Sequence, residues 1–89
     1  MILLQGIEGE MMRYLNLNGG SGVLSYEVGT DSIIVEFKDH WKYLYNYATH
    51  GQIHVEAMKA LATIGSGLNS YINKRLGKNV RDAYARKWQ

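Results

Sequence analysis

Thr63-Ile64-Gly65-Ser66-Gly67-Leu68-Asn69-Ser70-Tyr71-Ile72 decides the fold, because it sets two glycines and an asparagine where the flanking pattern asks for apolar helical residues. Val55, Met58, Ala62, Ile72 and Leu76 follow one another at helical spacings, and Gly65 and Asn69 complete the stripe. A glycine inside a helix costs about 1 kcal/mol relative to alanine, so a bare position on the stripe predicts close approach by another backbone. The spacing therefore predicts one long helix over residues 52–77. It opens after the breaker Thr49-His50-Gly51, closes at Gly77, and carries Lys74 and Arg75 in its last turn, where cations complement the helix dipole.

Upstream of that helix the period is two. Leu24, Tyr26 and Val28 point one way, the turn Gly29-Thr30-Asp31 follows, and Ile33, Val35 and Phe37 repeat the alternation. After a second turn at Lys38-Asp39-His40, Trp41, Tyr43, Tyr45 and Tyr47 line one face of a third strand. Three antiparallel strands with one apolar face need a helix to cover them. The expected fold is thus α+β: a three-stranded antiparallel sheet covered by one long helix, then a short basic helix over residues 80–88 with Asn79 as N-cap. Residues 1–22 read as an amphipathic start and a Gly/Asn-rich loop, with the α+β domain occupying 23–89.

The residues of the strands and the glycine-bearing helix resemble a family, the small KTSC domain found at the C-terminus of some lysyl-tRNA synthetases and as free-standing proteins of bacteria and phages. The likeness runs over about 23–72. Phe37 ends the hairpin, Tyr43 and Tyr45 form the Tyr-x-Tyr strand, and Thr63, Gly65, Leu68, Asn69 and Ile72 match the helix pattern. The chain departs from that pattern at Ala48-Thr49-His50-Gly51, where the family usually has a proline, and at Thr63 and Gly67. The resemblance implies a compact α+β module connected with RNA or phage biology, and it supplies no catalytic residue.

Composition narrows the function classes. The chain has 89 residues, 46% of them hydrophobic and 20% charged, which describes a folded globular domain. It has no cysteine, which removes disulfides and thiolate metal sites and suits a reducing cytosol. The apolar opening Met1-Ile2-Leu3-Leu4 is too short for a membrane span and lacks the basic flank of a signal peptide, so a soluble cytoplasmic protein is expected. The net charge of +2 hides a division: residues 1–73 carry four basic and seven acidic side chains, residues 74–89 six basic and one acidic.

That basic tail, Lys74, Arg75, Lys78, Arg81, Arg86 and Lys87 with Tyr84 and Trp88 interleaved, is the leading functional feature, since cations among aromatics suit phosphate contacts plus stacking. An ordinary solubilising surface is the competing reading. Trp41, Tyr43, Tyr45 and Tyr47 form either a base-stacking surface or core beneath the helix, and core is preferred because the opposite face offers only Leu44 as a large apolar residue. Gly65 and Asn69 read as a structural or dimer seam, the asparagine satisfying a backbone group or its own counterpart.

The triplets Gly20-Ser21-Gly22 and Gly65-Ser66-Gly67 lack the lysine and flanking elements of a phosphate loop. His50 and His54 have the spacing of a metal pair but only His40 or Glu56 as a third ligand, so no metal and no cofactor is assigned. Glu8 with Glu10, and Glu36 with Asp39, read as solvated surface. The expected activity is binding without catalysis, to nucleic acid or a nucleic-acid-handling protein through the basic tail. The alternatives are a phage-type inhibitor docking on a host defence protein, and a homodimeric structural module.

Overall fold

The computed structural model describes residues 11–75 and 84–89, with the backbone alone at Arg75. The alternating apolar residues form β2 (Val23–Val28), β3 (Ser32–Phe37) and β4 (Lys42–Asn46), with β1 (Met12–Arg13) and β5 (Arg86–Trp88) added at the two edges. The sheet has the order β1-β2-β3-β4-β5, and each neighbouring pair is antiparallel. The class is α+β as the periodicity predicts, but among the described residues the sheet has five strands where three were expected.

Between β3 and β4 the turn is tight. His40 takes φ 70°, its N–H donates to the Phe37 carbonyl, and Asp39 Oδ1 accepts from the Trp41 N–H. An aspartate side chain satisfying the backbone two residues on is the usual device for such a turn.

Strand β2 departs from simple alternation. Val23 pairs with Phe37 and Ser25 with Glu36, so Leu24 is an extra residue, a β-bulge. The bulge moves Val23 and Tyr26 onto the core face beside Ile33, Val35 and Phe37, and leaves Leu24 exposed. The predicted trio Leu24, Tyr26 and Val28 is thereby corrected: of the three only Tyr26 is buried.

The single long helix expected over 52–77 is broken. After the short α1 (Tyr47–His50) come α2 (Gln52–Ile64) and α3 (Leu68–Arg75), separated by Gly65-Ser66-Gly67. Gly65 adopts the left-handed conformation at φ 86°, and its N–H returns to the Leu61 carbonyl, which caps α2 and stops it. Gly67, at φ 87°, completes the bend.

The apolar stripe nevertheless survives, because Val55, Met58 and Ala62 of α2 and Leu68 and Ile72 of α3 are all buried in one core with Tyr43 and Tyr45. Breaking the helix shifts its phase by one residue. Leu68 takes the core position that helical spacing assigned to Asn69, and Asn69 is only half-buried.

The close approach expected at Gly65 is made by the N-terminal segment. A Cβ built at Gly65 would lie 2.6 Å from Leu15 Cβ, and the Leu17 N–H donates to the Gly65 carbonyl at 2.8 Å. Tyr14 joins the core, and β1 extends the sheet before Val23, where loop composition had placed the domain boundary.

The expected C-terminal helix is also corrected. Its start at residues 80–83 lies outside the described residues, while Arg86–Trp88 is a strand. The physical reason is the edge of β4, whose backbone groups need partners that a strand supplies and a helix does not. The Ala85 N–H donates to the Leu44 carbonyl at 2.7 Å, continuing that ladder.

Candidate nucleic-acid interface

β5 puts the three side chains Arg86, Lys87 and Trp88 on alternating sides of the sheet edge. Its register is Lys42 opposite Trp88, Tyr43 opposite Lys87, and Leu44 opposite Arg86. Lys87 therefore shares the core-side face with Tyr43, and Arg86 and Trp88 share the outer face with Lys42 and Leu44.

On the core side the Lys87 ammonium sits 4.7 Å from the Trp41 ring centre, 5.5 Å from Tyr43 and 5.8 Å from Tyr84. Tyr84 in turn packs edge-on against Tyr43 with ring centres 5.2 Å apart. Ring faces attract a cation with about 0.5–1 kcal/mol each at exposed sites, so three rings hold one ammonium in place while leaving its N–H donors for an anion. On the outer side the Arg86 guanidinium lies 5.6 Å from the Trp88 ring centre. Arg86 and Lys87 are exposed; Trp41, Lys42, Tyr84 and Trp88 are half-buried.

The other cations of the tail are placed differently. Lys74 is exposed in the last turn of α3, the Arg75 side chain is not described, and Lys78 and Arg81 lie outside the described residues. Of the aromatic row, Tyr43 and Tyr45 are core, Trp41 borders the Lys87 cluster, and Tyr47 starts α1. Strand alternation in Arg86-Lys87-Trp88 was the signal that could have located this cluster; the helix expected over 80–88 obscured it.

Elsewhere the polar groups are engaged structurally. Ser25 Oγ donates to Glu36 Oε1 at 2.6 Å, and His40 Nδ1 lies 3.3 Å from the other carboxylate oxygen. The serine bond is the main reason that Glu36 titrates below the usual glutamate range, with His40 and Lys42 adding to it. Serine, acid and imidazole occur together here, but the acid stands between the other two. The hydroxyl gives its proton to a carboxylate instead of facing a histidine base, so the geometry is not that of a hydrolytic triad. Glu36, read from sequence as solvated, has a side chain only 14% exposed.

His54 Nδ1 meets the Tyr71 hydroxyl at 2.7 Å, while His50 bonds the Asn46 backbone. Among the described residues no group of three His, Cys, Asp or Glu side chains is gathered as a metal site. On the helical side, Lys59 holds Glu56 at 2.8 Å and the Thr30 carbonyl at 2.9 Å. Lys59 keeps the Glu56 carboxyl below its ordinary value, and the Tyr47 hydroxyl, donating to Glu56, is pushed up.

The two glycine-serine loops meet around a polar cavity of about 150 Å³, with Asn16, Gly20, Ser21, Ser66 and Asn69 among its walls. Ligand pockets are commonly about 300–1,000 Å³, so this one is too small for a nucleotide or cofactor. No helix among the described residues is long and apolar enough to cross a membrane. No family model, curated protein or solved structure matches the chain.

Proposed function

We propose that this chain is a small, non-enzymatic nucleic-acid-binding module that works through its C-terminal basic segment, with β5 as the contact element. The observation that carries the proposal is the joint placement of Arg86 and Lys87, each exposed and each set against aromatic rings at the sheet edge. Cations at a solvent boundary contact phosphates, and adjacent rings give bases a surface to stack on. Lys74, Arg75, Lys78 and Arg81 extend the positive charge along the same terminal third of the sequence. Membership of the KTSC family belongs to the same proposal.

Binding to RNA and DNA should fall with salt. Contacts from Arg86 and Lys87 to two phosphates of a single strand give a slope of log K against log salt of about −1.4. Changing Arg86 and Lys87 together to Glu should abolish binding at low salt while leaving the far-ultraviolet circular dichroism unchanged. Failure of the parent protein to bind any nucleic acid at low salt overturns the proposal.

A second reading, docking on a host protein, is favoured by the exposed apolar residues Leu15, Leu17 and Ile64 around the Gly65 bend. Capture of one stoichiometric bacterial protein that persists after nuclease treatment, and is lost in Leu17→Ser with Ile64→Ser, would replace the first reading.

A further inference from the structure

We infer that the nucleic acid taken by this surface is single-stranded, with Trp88 as the base-stacking platform and Arg86 and Lys87 as the phosphate contacts; this rests on the nucleic-acid reading above.

Recognition of a duplex needs an element that fits a groove, and its bases are already stacked on one another. Sequence in B-DNA is read by inserting a helix or a two-stranded ribbon into a major groove about 12 Å wide. Neither α2 nor α3 is equipped for this. α2 has Lys59 as its one lysine or arginine, and that lysine is already bound to Glu56 and the Thr30 carbonyl. The described side chains of α3 include a single cation, Lys74, at its end. The cationic strand β5 has three residues, spanning about 10 Å, and lies flat on the edge of β4 with no projecting ribbon.

The same edge matches what an unpaired strand offers. Bases of a single strand can turn onto protein rings, each stacked base contributing about 1–3 kcal/mol, while the backbone runs past the cations. Trp88 lies on the outer face opposite Lys42, with Arg86 beside it. Lys87, held by Trp41, Tyr43 and Tyr84, marks the other side of the edge. On the outer face Glu36 stands directly opposite Lys42 and pairs with it at 3.9 Å, and Glu27 lies farther across the sheet. The two carboxylates repel phosphates from the middle of the sheet and confine the backbone to the β4–β5 end, so the footprint is a few nucleotides.

The chain has two tryptophans, Trp41 and Trp88, and both belong to this surface. Intrinsic fluorescence therefore reads stacking without a label. The parent protein would be titrated at low salt with oligo-dT, with oligo-U, and with a blunt duplex of the same length, following fluorescence and, separately, anisotropy of end-labelled strands. The expected result is quenching by both single strands, with affinity at least ten-fold above that for the duplex. Trp88→Ala should lose ten-fold or more in single-strand affinity, and Trp88→Phe should regain most of it, with circular dichroism confirming that both variants fold. A preference for oligo-U over oligo-dT would assign the strand as RNA, and the reverse preference as DNA. Duplex binding as tight as single-strand binding, or salt-sensitive binding without tryptophan quenching, overturns this inference while leaving the nucleic-acid reading intact. No salt-sensitive binding to any strand overturns both.

Discussion

The backbone N–H of Leu68 donates to the hydroxyl of Tyr14 at 3.2 Å, joining the first turn of α3 to a residue 54 positions earlier in the chain. Tyr14 is 4% exposed and Leu68 fully buried. The bond serves a helix N-terminus, whose first amides have no partner within the helix. Removing the acceptor leaves a buried N–H unsatisfied, which costs about 1–3 kcal/mol. Tyr14→Phe should therefore lower the unfolding free energy by about that amount, because the ring still fills its space and only the hydroxyl is lost. Urea denaturation with an unchanged m-value is the measurement, and an unaffected midpoint would refute the role assigned to the hydroxyl.

Gly65 and Gly20 both have positive φ, at 86° and 73°, but differ in surroundings. A methyl group at Gly65 meets Leu15 Cβ at 2.6 Å, whereas one at Gly20 meets nothing within 4 Å. Gly20→Ala should cost only the left-handed backbone penalty, about 1–2 kcal/mol. Gly65→Ala adds overpacking to that penalty and should cost about 2–4 kcal/mol. Thermal melts of the two variants side by side check the order; equal losses would show that Leu15 yields freely.

Glu36 has its folded-state pKa depressed, first by the Ser25 hydroxyl. A carboxylate whose pKa is lower folded than unfolded stabilises the fold above the ordinary glutamate value, and that contribution disappears as pH falls through the folded value. The parent should lose stability in acid more steeply than Glu36→Gln, whose amide does not titrate there. In Ser25→Ala the Glu36 pKa should rise toward the usual range, as followed by carboxyl-detected NMR. Identical acid titrations of the parent and Glu36→Gln would remove this linkage.

His50 and His54 bond different groups, the Asn46 backbone and the Tyr71 hydroxyl. Zinc at micromolar concentration should leave the melting temperature unchanged, since a ligand specific to the native state would raise it by mass action. An upward shift reversed by a chelator would reveal a metal site.

Much of the architecture was legible in the sequence, for particular reasons. Ile33, Val35, Phe37, Tyr43 and Tyr45 alternate without interruption and are all core. Val55, Met58 and Ala62 keep the helical period on the buried side of α2. What period analysis missed lies where one backbone conformation resets the phase. The left-handed turn at Gly65 divides a stripe that looks continuous on paper, so Asn69 exchanges places with Leu68. At Leu24 the bulge does the same in a strand. Neither event leaves a hydrophobic signature, because each depends on partners distant in the sequence: Leu15 and Leu17 for the first, Glu36 and Phe37 for the second.

The tail shows the limit for function. Its charge was legible from composition, but its strand form depends on the edge of β4, and that dependence brings Lys87 to Trp41 across 46 positions. A helix with the same residues would have distributed its cations around a cylinder.

The surplus residue in β2 has a genetic corollary. Because Leu24 puts the strand one step out of frame with β3, excising it restores strict opposition of Val23, Ser25 and Tyr26 to Phe37, Glu36 and Val35. Codon loss inside a strand ordinarily turns the core residues on one side of the lesion toward water. Here the surplus residue absorbs such a lesion, so in a deletion scan through 23–28 loss of Leu24 should be tolerated better than loss of any residue from 26 to 28, with the Tyr14 N–H bond to the Leu24 carbonyl as its main cost.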